Sequence, residues 1–280
     1  MQHFLLLLFL GYSISLSAQL QRAHLNPDFT TSVETLPANQ TVEFRENNFE
    51  QIEGFPQTQV ANMTFKNVRN CTLADLNGDG LDDILFVADD KLFAYAADGL
   101  LWQKNLGGVA TYPPSVADID KDGELEIVQA VFGGFVNGNL QVLEVDGTDA
   151  TGFPLAFDNL LVTAPTLVDV DDDGLMEIIV NEIDGSQGNV HLLNADGTSF
   201  SENWPVPLTA RPAVTPSVAD VDNDGEKEIV VFSTEGRYIL QLDGTPEAGF
   251  PQITDPVIRY SFHSPALVSL DNDDTFQVIG

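Results

Sequence analysis

The chain has 280 residues, of which 43 are acidic and 11 are basic, and its formal net charge is −32. This charge repels nucleic acid and anionic membranes, so it excludes nucleic-acid binding as the function. The apolar share of 43% is that of a globular protein and excludes a disordered acidic tail. Because Cys71 is the single cysteine, the chain must be held together by its core or by metal, not by disulfide bonds.

The first residues predict a secretory signal peptide over residues 1–18. An apolar run covers residues 4–10 and continues through Ile14 and Leu16, and it is too short to span a membrane. No lysine or arginine precedes the run, and a membrane anchor is the competing interpretation. We expect a secreted or cell-surface protein with no transmembrane segment after removal of the signal.

Residues 19–58 form an N-terminal segment that ends with a candidate ring-closing strand. The Gly-Phe-Pro sequence at residues 54–56 matches those at residues 152–154 and 249–251, yet no acidic loop precedes it. An outer strand that lacks the rest of its repeat can complete the last blade and close a ring of repeats.

An acidic nonapeptide recurs four times without gaps in the remaining residues 59–280. The first residues of the copies are 43, 51 and 51 positions apart, and the copies hold 19 of the 43 acidic residues. Self-similarity at such a period indicates a solenoid, a propeller or another array of repeats. The four copies begin at Asp75, Asp118, Asp169 and Asp220.

Each copy lies among short apolar runs that are typical of β-strands. One run precedes the loop, a β-branched run follows it, a third run leads into an Asp-Gly hairpin signal, and a fourth short piece carries Trp or Phe-Pro. No helical period is sustained in the mature chain. Four antiparallel strands per repeat of about 45–50 residues predict an all-β fold, a β-propeller of four-stranded blades.

The predicted blades cover about residues 59–110, 111–161, 162–212 and 213–258, and an incomplete fifth blade covers residues 259–280. The strand after the fifth loop would be left with an open edge of unpaired backbone groups. We therefore expect this chain to be a fragment of a ring with seven or eight blades.

The nonapeptide has the oxygen pattern that calcium requires. Ca²⁺ takes six to eight oxygen ligands. Positions one, three and five of a tight loop can point inward, position seven offers its carbonyl oxygen, and position nine completes the site with a carboxylate. Position six is always glycine, because the chain must reverse there with a positive φ. The expected ligands are Asp75, Asn77, Asp79, Leu81 and Asp83; Asp118, Asp120, Asp122, Glu124 and Glu126; Asp169, Asp171, Asp173, Leu175 and Glu177; and Asp220, Asp222, Asp224, Glu226 and Glu228.

A metal-free surface turn and an EF-hand are the two alternatives to four calcium loops. A surface turn without metal is a reasonable interpretation of one copy, but four gapless copies argue against it. An EF-hand needs a glutamate at position twelve and flanking helices, whereas position twelve lies here in β-type runs, as at Phe86 and Val180.

The fifth copy, residues 269–277, is degenerate. Ser269 replaces the first aspartate, Asp274 replaces the glycine and Gln277 replaces the last acid. We therefore expect about four Ca²⁺ sites and no tight site in the fifth loop.

The repeated residues resemble the FG-GAP/VCBS repeat family, whose repeat is also seen in the integrin α-subunit head. The match is Asp-x-[Asp/Asn]-x-Asp-Gly-x-x-[Asp/Glu] between two strands, over about residues 60–280. The resemblance implies a seven- or eight-bladed propeller with calcium in loops on one face, in an extracellular protein that serves in adhesion or acts on polysaccharides. Because full Phe-Gly and Gly-Ala-Pro landmarks are absent, the chain is similar to the bacterial VCBS branch.

No set of residues predicts catalysis. His24, His191 and His263 are isolated in the sequence, and we expect His191 to be a packed or surface residue. Cys71 is expected to be a small core residue. Aromatic residues such as Trp102 and Trp204 could line a sugar-stacking surface, but packing between blades is the favoured interpretation.

The favoured function is a monomeric, non-enzymatic binding or adhesion scaffold for an extracellular protein or glycan. The alternative is the propeller of a polysaccharide-active enzyme, since some rhamnogalacturonan lyases resemble this calcium-loop propeller. Such an enzyme needs basic and acidic groups that converge on a pocket, and only 11 Lys and Arg are available. This count favours the binding scaffold.

Overall fold

The computed structural model describes residues 21–25, 31–35, 70–132, 137–253, 264–268 and 277–279. The signal peptide, the candidate ring-closing strand, the fifth acidic loop and His263 lie outside these residues. The chain divides into two units, residues 1–51 and 52–280. In the first unit, β1 (Gln21–Leu25) and β2 (Thr31–Thr35) form an antiparallel pair.

The second unit contains four-stranded antiparallel sheets whose strands follow chain order. In each of these sheets, an acidic nonapeptide connects a strand of three residues to the longer strand that follows it. The first sheet consists of β3 (Thr72–Ala74), β4 (Asp83–Ala88), β5 (Lys91–Ala96) and β6 (Gly99–Asn105), and the second consists of β7 (Ser115–Ala117), β8 (Glu126–Val131), β9 (Asn139–Leu143) and β10 (Leu155–Ala156).

The third sheet has one additional strand, because β11 and β12 pair with successive parts of the same edge of β13. The third sheet consists of β11 (Leu160–Leu161), β12 (Thr166–Val168), β13 (Glu177–Asp184), β14 (Gln187–Leu193) and β15 (Val206–Leu208); the fourth consists of β16 (Ser217–Ala219), β17 (Glu228–Phe232), β18 (Gly236–Leu240) and β19 (Gln252–Ile253); and β20 (Ala266–Val268) pairs with β21 (Gln277–Ile279) in a fifth.

The sheets pack face to face, and a hydrophobic layer fills each junction. Successive side chains of a strand point to opposite faces, so the second strand of one sheet contributes to two layers. Between the first two sheets, Leu85 and Val87 pack with Ile127 and Val131, and all four are fully buried. These are the contacts of consecutive propeller-type blades, although the described residues do not close a ring. The described residues contain no helix, and so none with the length and hydropathy of a membrane span.

A hydroxyl group at the start of each first strand connects one sheet to the next. Its oxygen lies 2.5 to 2.9 Å from the carbonyl oxygen of a proline in the following sheet, to which it donates a hydrogen bond. This contact accounts for the recurring Pro-Ser and Pro-Thr pairs, because each pair supplies an acceptor to one neighbour and a donor to the other. The bonds run from Thr72 to Pro114, from Ser115 to Pro165, from Thr166 to Pro216 and from Ser217 to Pro265.

Removal of one hydroxyl group should weaken its junction. We expect Thr166→Val to lower the free energy of unfolding by about 1 kcal/mol, because the Pro216 carbonyl loses its donor. Thr166→Ser keeps the hydroxyl group and should leave stability nearly unchanged. Urea unfolding followed by tryptophan fluorescence measures both variants. Equal stability of wild type and Thr166→Val would contradict the role assigned to this bond.

The Asp-Gly turns form as predicted, but only in the first sheet does the turn lead directly into the fourth strand. Gly147 has the expected positive φ of 82°. Asp146 accepts hydrogen bonds from both the backbone N–H and the hydroxyl group of Thr148, and β10 begins only at Leu155. The aspartate thus closes the turn locally through its side chain, and the fourth strand starts several residues later than a tight hairpin would place it.

The tryptophans pack between sheets, as favoured from the sequence. The Trp102 Nε1 atom donates a hydrogen bond to the Val145 carbonyl at 2.7 Å, and the Trp204 Nε1 atom donates one to the Leu242 carbonyl at 2.9 Å. The expectation that Cys71 is a core residue is wrong, because this cysteine is exposed. It lies just before β3, the edge strand of the first sheet, where the side chain of Leu73 is also 56% exposed.

Candidate metal centre

Each acidic loop is anchored by one apolar and one acidic residue that are both buried. Position two is apolar and lies beneath the loop, with at most 8% of its surface exposed. Position nine is the first residue of the second strand, and its carboxyl group is carried inward with that strand. The buried pairs are Leu76 with Asp83, Ile119 with Glu126, Val170 with Glu177 and Val221 with Glu228.

A backbone N–H group holds each position-nine carboxylate through one of its two oxygens. In the second loop, the Glu126 Oε2 atom accepts a hydrogen bond from the N–H group of Ile119 at 2.7 Å. The second oxygen of Glu126 takes no part in this bond and can bind a cation. The same bond is present in the other three loops, at 2.8 to 3.0 Å.

The other acidic side chains are oriented by the backbone of their own loop. Asp118 accepts a hydrogen bond from the N–H group of Gly123, Asp120 from that of Asp122, and Asp122 from that of Glu124. Each bond uses one carboxylate oxygen and leaves the other for a ligand. The same three bonds recur in the first, third and fourth loops.

Two positions of every loop have a left-handed backbone. The glycine at position six does so as expected, with φ between 85° and 98°. Position four was not foreseen, although its residues include a glycine, an aspartate and an asparagine, which tolerate this conformation best. Lys121 is the exception, because lysine does not favour the left-handed conformation and so does not predict it. The four residues at this position, with φ between 62° and 73°, are Gly78, Lys121, Asp172 and Asn223.

In three loops the carboxylate oxygens lie close enough together to hold a metal ion. Each group contributes three oxygens within 4.8 Å of one another. The residues that the structure describes contain three such groups. In the first loop, Asn77 replaces an acid, and its amide donates to Asp83 at 3.4 Å. The three groups are Asp118, Asp120 and Asp122; Asp169, Asp171 and Glu177; and Asp220, Asp222 and Glu228.

Two buried oxygens in these groups have no hydrogen-bond donor. They are the Oδ1 atoms of Asp118 and Asp169. A buried carboxylate oxygen without a partner is costly, and a cation removes that cost. Because every candidate ligand atom is oxygen, the loops fit a hard cation such as calcium better than a metal that prefers nitrogen or sulfur.

Burial raises the pKa of the position-nine carboxyl groups. It is the main reason that the pKa values of Glu126 and Glu228 rise from 4.5 to about 7, and repulsion by the aspartates at positions three and five adds to it. The pKa values of Asp83 and Glu177 rise for the same main reason. Burial and repulsion therefore disfavour the ionised form of these groups, and a cation beside them would favour it.

Glu144 lies beside the second loop and was missed by sequence reasoning. Together with Glu126 and Glu177, it lines a cavity of about 640 Å³ between the second and third loops. Burial raises the pKa of Glu144, and repulsion by the acids of the second loop adds to the shift. The corresponding turn positions are Asn194 and Gln241, so the repeat pattern carries no signal for an acid here.

Neighbouring loops are in direct contact. Lys227 of the fourth loop forms an ion pair with Asp172 of the third, with 2.5 Å between Nζ and Oδ1. The backbone N–H group of Met176 in the third loop donates to the Ile119 carbonyl in the second at 2.9 Å. The second, third and fourth loops therefore form one continuous acidic surface.

Stacked antiparallel sheets that each carry an acidic hairpin define a propeller-like repeat protein. Residues 75–128 and 169–231 match the model of the FG-GAP-like repeat. These two segments are FG-GAP-like repeats, as the nonapeptide motif indicated. A comparison with curated proteins found no match.

Solved structures with a similar fold have low sequence identity to the chain. The structure of BBS1N in complex with ARL6DN matches with a TM-score of 0.51 and 15% identity, over 75% of this chain and 63% of that one. The PilY1 C-terminal domain of Pseudomonas aeruginosa matches with a TM-score of 0.50 and 12% identity, over 70% and 51%. The V. cholerae biofilm matrix protein Bap1 matches with a TM-score of 0.48 and 19% identity, over 78% and 36%. The chain thus spans less than two thirds of the length of each of these structures.

Proposed function

We propose that the protein is a secreted, calcium-stabilised scaffold that binds an extracellular protein or glycan and has no catalytic activity. The observation that carries this proposal is the hydrogen-bond pattern that all four loops share. In the second and third loops, the backbone occupies one oxygen of each of these acidic side chains and leaves the other for an ion. In the first and fourth loops, the second oxygen of Asp75 and of Asp220 also accepts a backbone hydrogen bond. The side chains at positions one, three, five and nine and the carbonyl oxygen at position seven would hold calcium.

The position of the loops supports a stabilising role for calcium. The loops join the first and second strands of each sheet and contact one another across the sheet junctions. An ion in each loop would fasten these junctions, as disulfide bonds do in many small secreted proteins. The binding surface for a partner would then lie elsewhere on the sheets.

The buried titratable groups outside the loops support a non-catalytic protein. In the described residues, the other deeply buried acid is Glu182, which accepts hydrogen bonds from Asn159, Asn189 and His191. Burial lowers the pKa of His191. The hydrogen bonds of this cluster are internal to the protein, and they join β13 to β14. Formation of unsaturated products from a polysaccharide, followed by ultraviolet absorbance, would overturn the non-catalytic part of the proposal.

Calcium titration counts the sites directly. Isothermal titration calorimetry of the metal-free protein should show four sites, and Asp118→Ala or Asp169→Ala should each remove one, because each removes a buried oxygen that lacks a donor. Asp158→Ala, which changes an exposed acid outside the loops, is the control and should keep all four. An unchanged stoichiometry in both loop variants would rule out these ligand assignments.

The stabilisation by calcium should increase with pH. In the metal-free folded protein Glu126 and Glu228 have pKa values near 7, against 4.5 in the absence of burial. Between these values the folded state holds protons that the unfolded chain has released, so the metal-free protein loses stability as the pH rises. Calcium binds the ionised form and should reverse this trend.

Melting temperatures measured at pH 5.5 and pH 8, with calcium and with chelator, test this expectation. The difference between the two conditions should be larger at pH 8. A larger difference at pH 5.5 would contradict the assignment of buried carboxylates as ligands.

A further inference from the structure

A polar cavity of about 420 Å³ lies between the first and second sheets, apart from the metal loops. Lys104 and Asn105, at the end of β6, line one side, and Asn139 and Gln141, at the start of β9, line the other. The acidic loops enter each sheet at the start of its second strand. Because the strands alternate in direction, the end of β6 and the start of β9 lie at the opposite end of the sheets.

The charged groups of this cavity balance one another. The Lys104 Nζ atom lies 2.8 Å from the Asp149 Oδ1 atom, and both side chains line the cavity. No other charged residue lines it. An anion would meet the Asp149 carboxylate on a chain whose net charge is −32, and a cation would meet the Lys104 ammonium group. The cavity therefore suits an uncharged ligand.

The side-chain amides of the cavity are positioned by internal hydrogen bonds but are not saturated. Gln141 is 5% exposed, and its Nε2 atom donates to the Leu106 carbonyl and to the Asn139 Oδ1 atom, whereas its Oε1 atom has no partner. The Asn105 Oδ1 atom accepts from the N–H group of Gly107. The NH₂ groups of Asn105 and Asn139 donate to no group in the described residues.

The NH₂ groups of Asn105 and Asn139 offer donors, and their Oδ1 atoms, which each accept one bond, keep a second lone pair as an acceptor. Pro154 and Ala156 add an apolar wall. A hydroxyl group can donate and accept at once, and a sugar ring carries several hydroxyl groups beside an apolar C–H face. The volume lies within the range of small-molecule sites. We propose that this cavity binds a neutral sugar residue of a glycan. The proposal rests on the binding function proposed above and names its ligand class and position.

Ligand-observed NMR with the full chain in calcium tests this assignment. The probes are glucose, galactose, mannose and N-acetylglucosamine, each alone and as short oligomers. At least one probe should bind, and Asn105→Ala or Asn139→Ala should each weaken its binding about tenfold, the effect of losing one hydrogen bond to a sugar. Gln103→Ala, which changes an exposed residue of the same strand, is the control and should bind like wild type.

Two readouts separate failure of the site from failure of the scaffold. The calcium-induced rise in melting temperature should be unchanged in Asn105→Ala and Asn139→Ala, because neither residue lies near the loops. Absence of binding by all neutral probes would overturn the sugar site, and so would binding that both variants leave unchanged. Preferential binding of galacturonate oligomers would also overturn it, because the argument from charge requires an uncharged ligand. None of these results depends on whether calcium stabilises the sheets.

Discussion

Removal of calcium should lower the melting temperature of the full chain by about 20 °C or more. A site filled at a hundred times its dissociation constant adds about 2.7 kcal/mol, so four independent sites add about 11 kcal/mol. For a chain of this size, 1 kcal/mol shifts the melting temperature by about 2–4 °C. Differential scanning calorimetry in calcium and in excess chelator measures the shift.

The physical reason for so large an effect lies in the metal-free loops. Each loop brings several carboxylates together, and the Oδ1 atoms of Asp118 and Asp169 are buried without a donor. Magnesium is the matched control, because it keeps its own waters and demands a tighter octahedral site. It should restore only a small part of the lost stability. Identical melting curves with and without calcium would refute the stabilising role of the ion.

Replacement of Glu182 by alanine should lower the free energy of unfolding by about 3 kcal/mol, whether or not calcium is present. This carboxylate is buried and accepts hydrogen bonds from the backbone and amide of Asn159, the amide of Asn189 and the ring of His191. Its loss leaves several partly buried donors without an acceptor, which costs more than the bonds themselves contributed.

Unfolding measured with calcium and with chelator distinguishes the contribution of the Glu182 cluster from that of the metal loops. Glu182→Ala should show the same deficit in urea unfolding with calcium and with chelator, whereas Glu126→Ala should lose most of its deficit in chelator. Glu202→Ala, a change of an exposed acid, is the control and should leave stability within about 0.5 kcal/mol of wild type. A stability of Glu182→Ala equal to that of wild type would show that the cluster contributes nothing.

Much of the fold follows from local chemistry that a sequence displays. The gapless nonapeptides, the apolar runs around them and the Asp-Gly turns predict four-stranded sheets, and the structure contains antiparallel four-stranded sheets. The glycine at position six and the apolar residue at position two have the backbone and burial expected of them, as Gly123 and Ile119 show. These features depend on neighbours within a few residues, so the order of residues reveals them.

Other features depend on contacts between residues that are far apart in the chain. The hydroxyl bond from Ser115 to Pro165 spans 50 residues, and the repeat pattern displays both residues without showing that they meet. The late start of β10 could not be predicted from the sequence either, because the Asp146 side chain bonds the backbone of the turn in place of a partner strand.

The sequence by itself determined that the chain is a repeat protein whose acidic loops present oxygen atoms at a spacing that suits a metal ion, since residue type and spacing are local. Only the tertiary structure decided how those oxygen atoms are held. It buries the position-nine carboxylates, brings Glu144 to the second loop and joins the third loop to its neighbours. It also assembles the cavity around Gln141 from two different sheets. Burial and proximity between sheets arise only when the sheets pack together, and no single repeat contains that information.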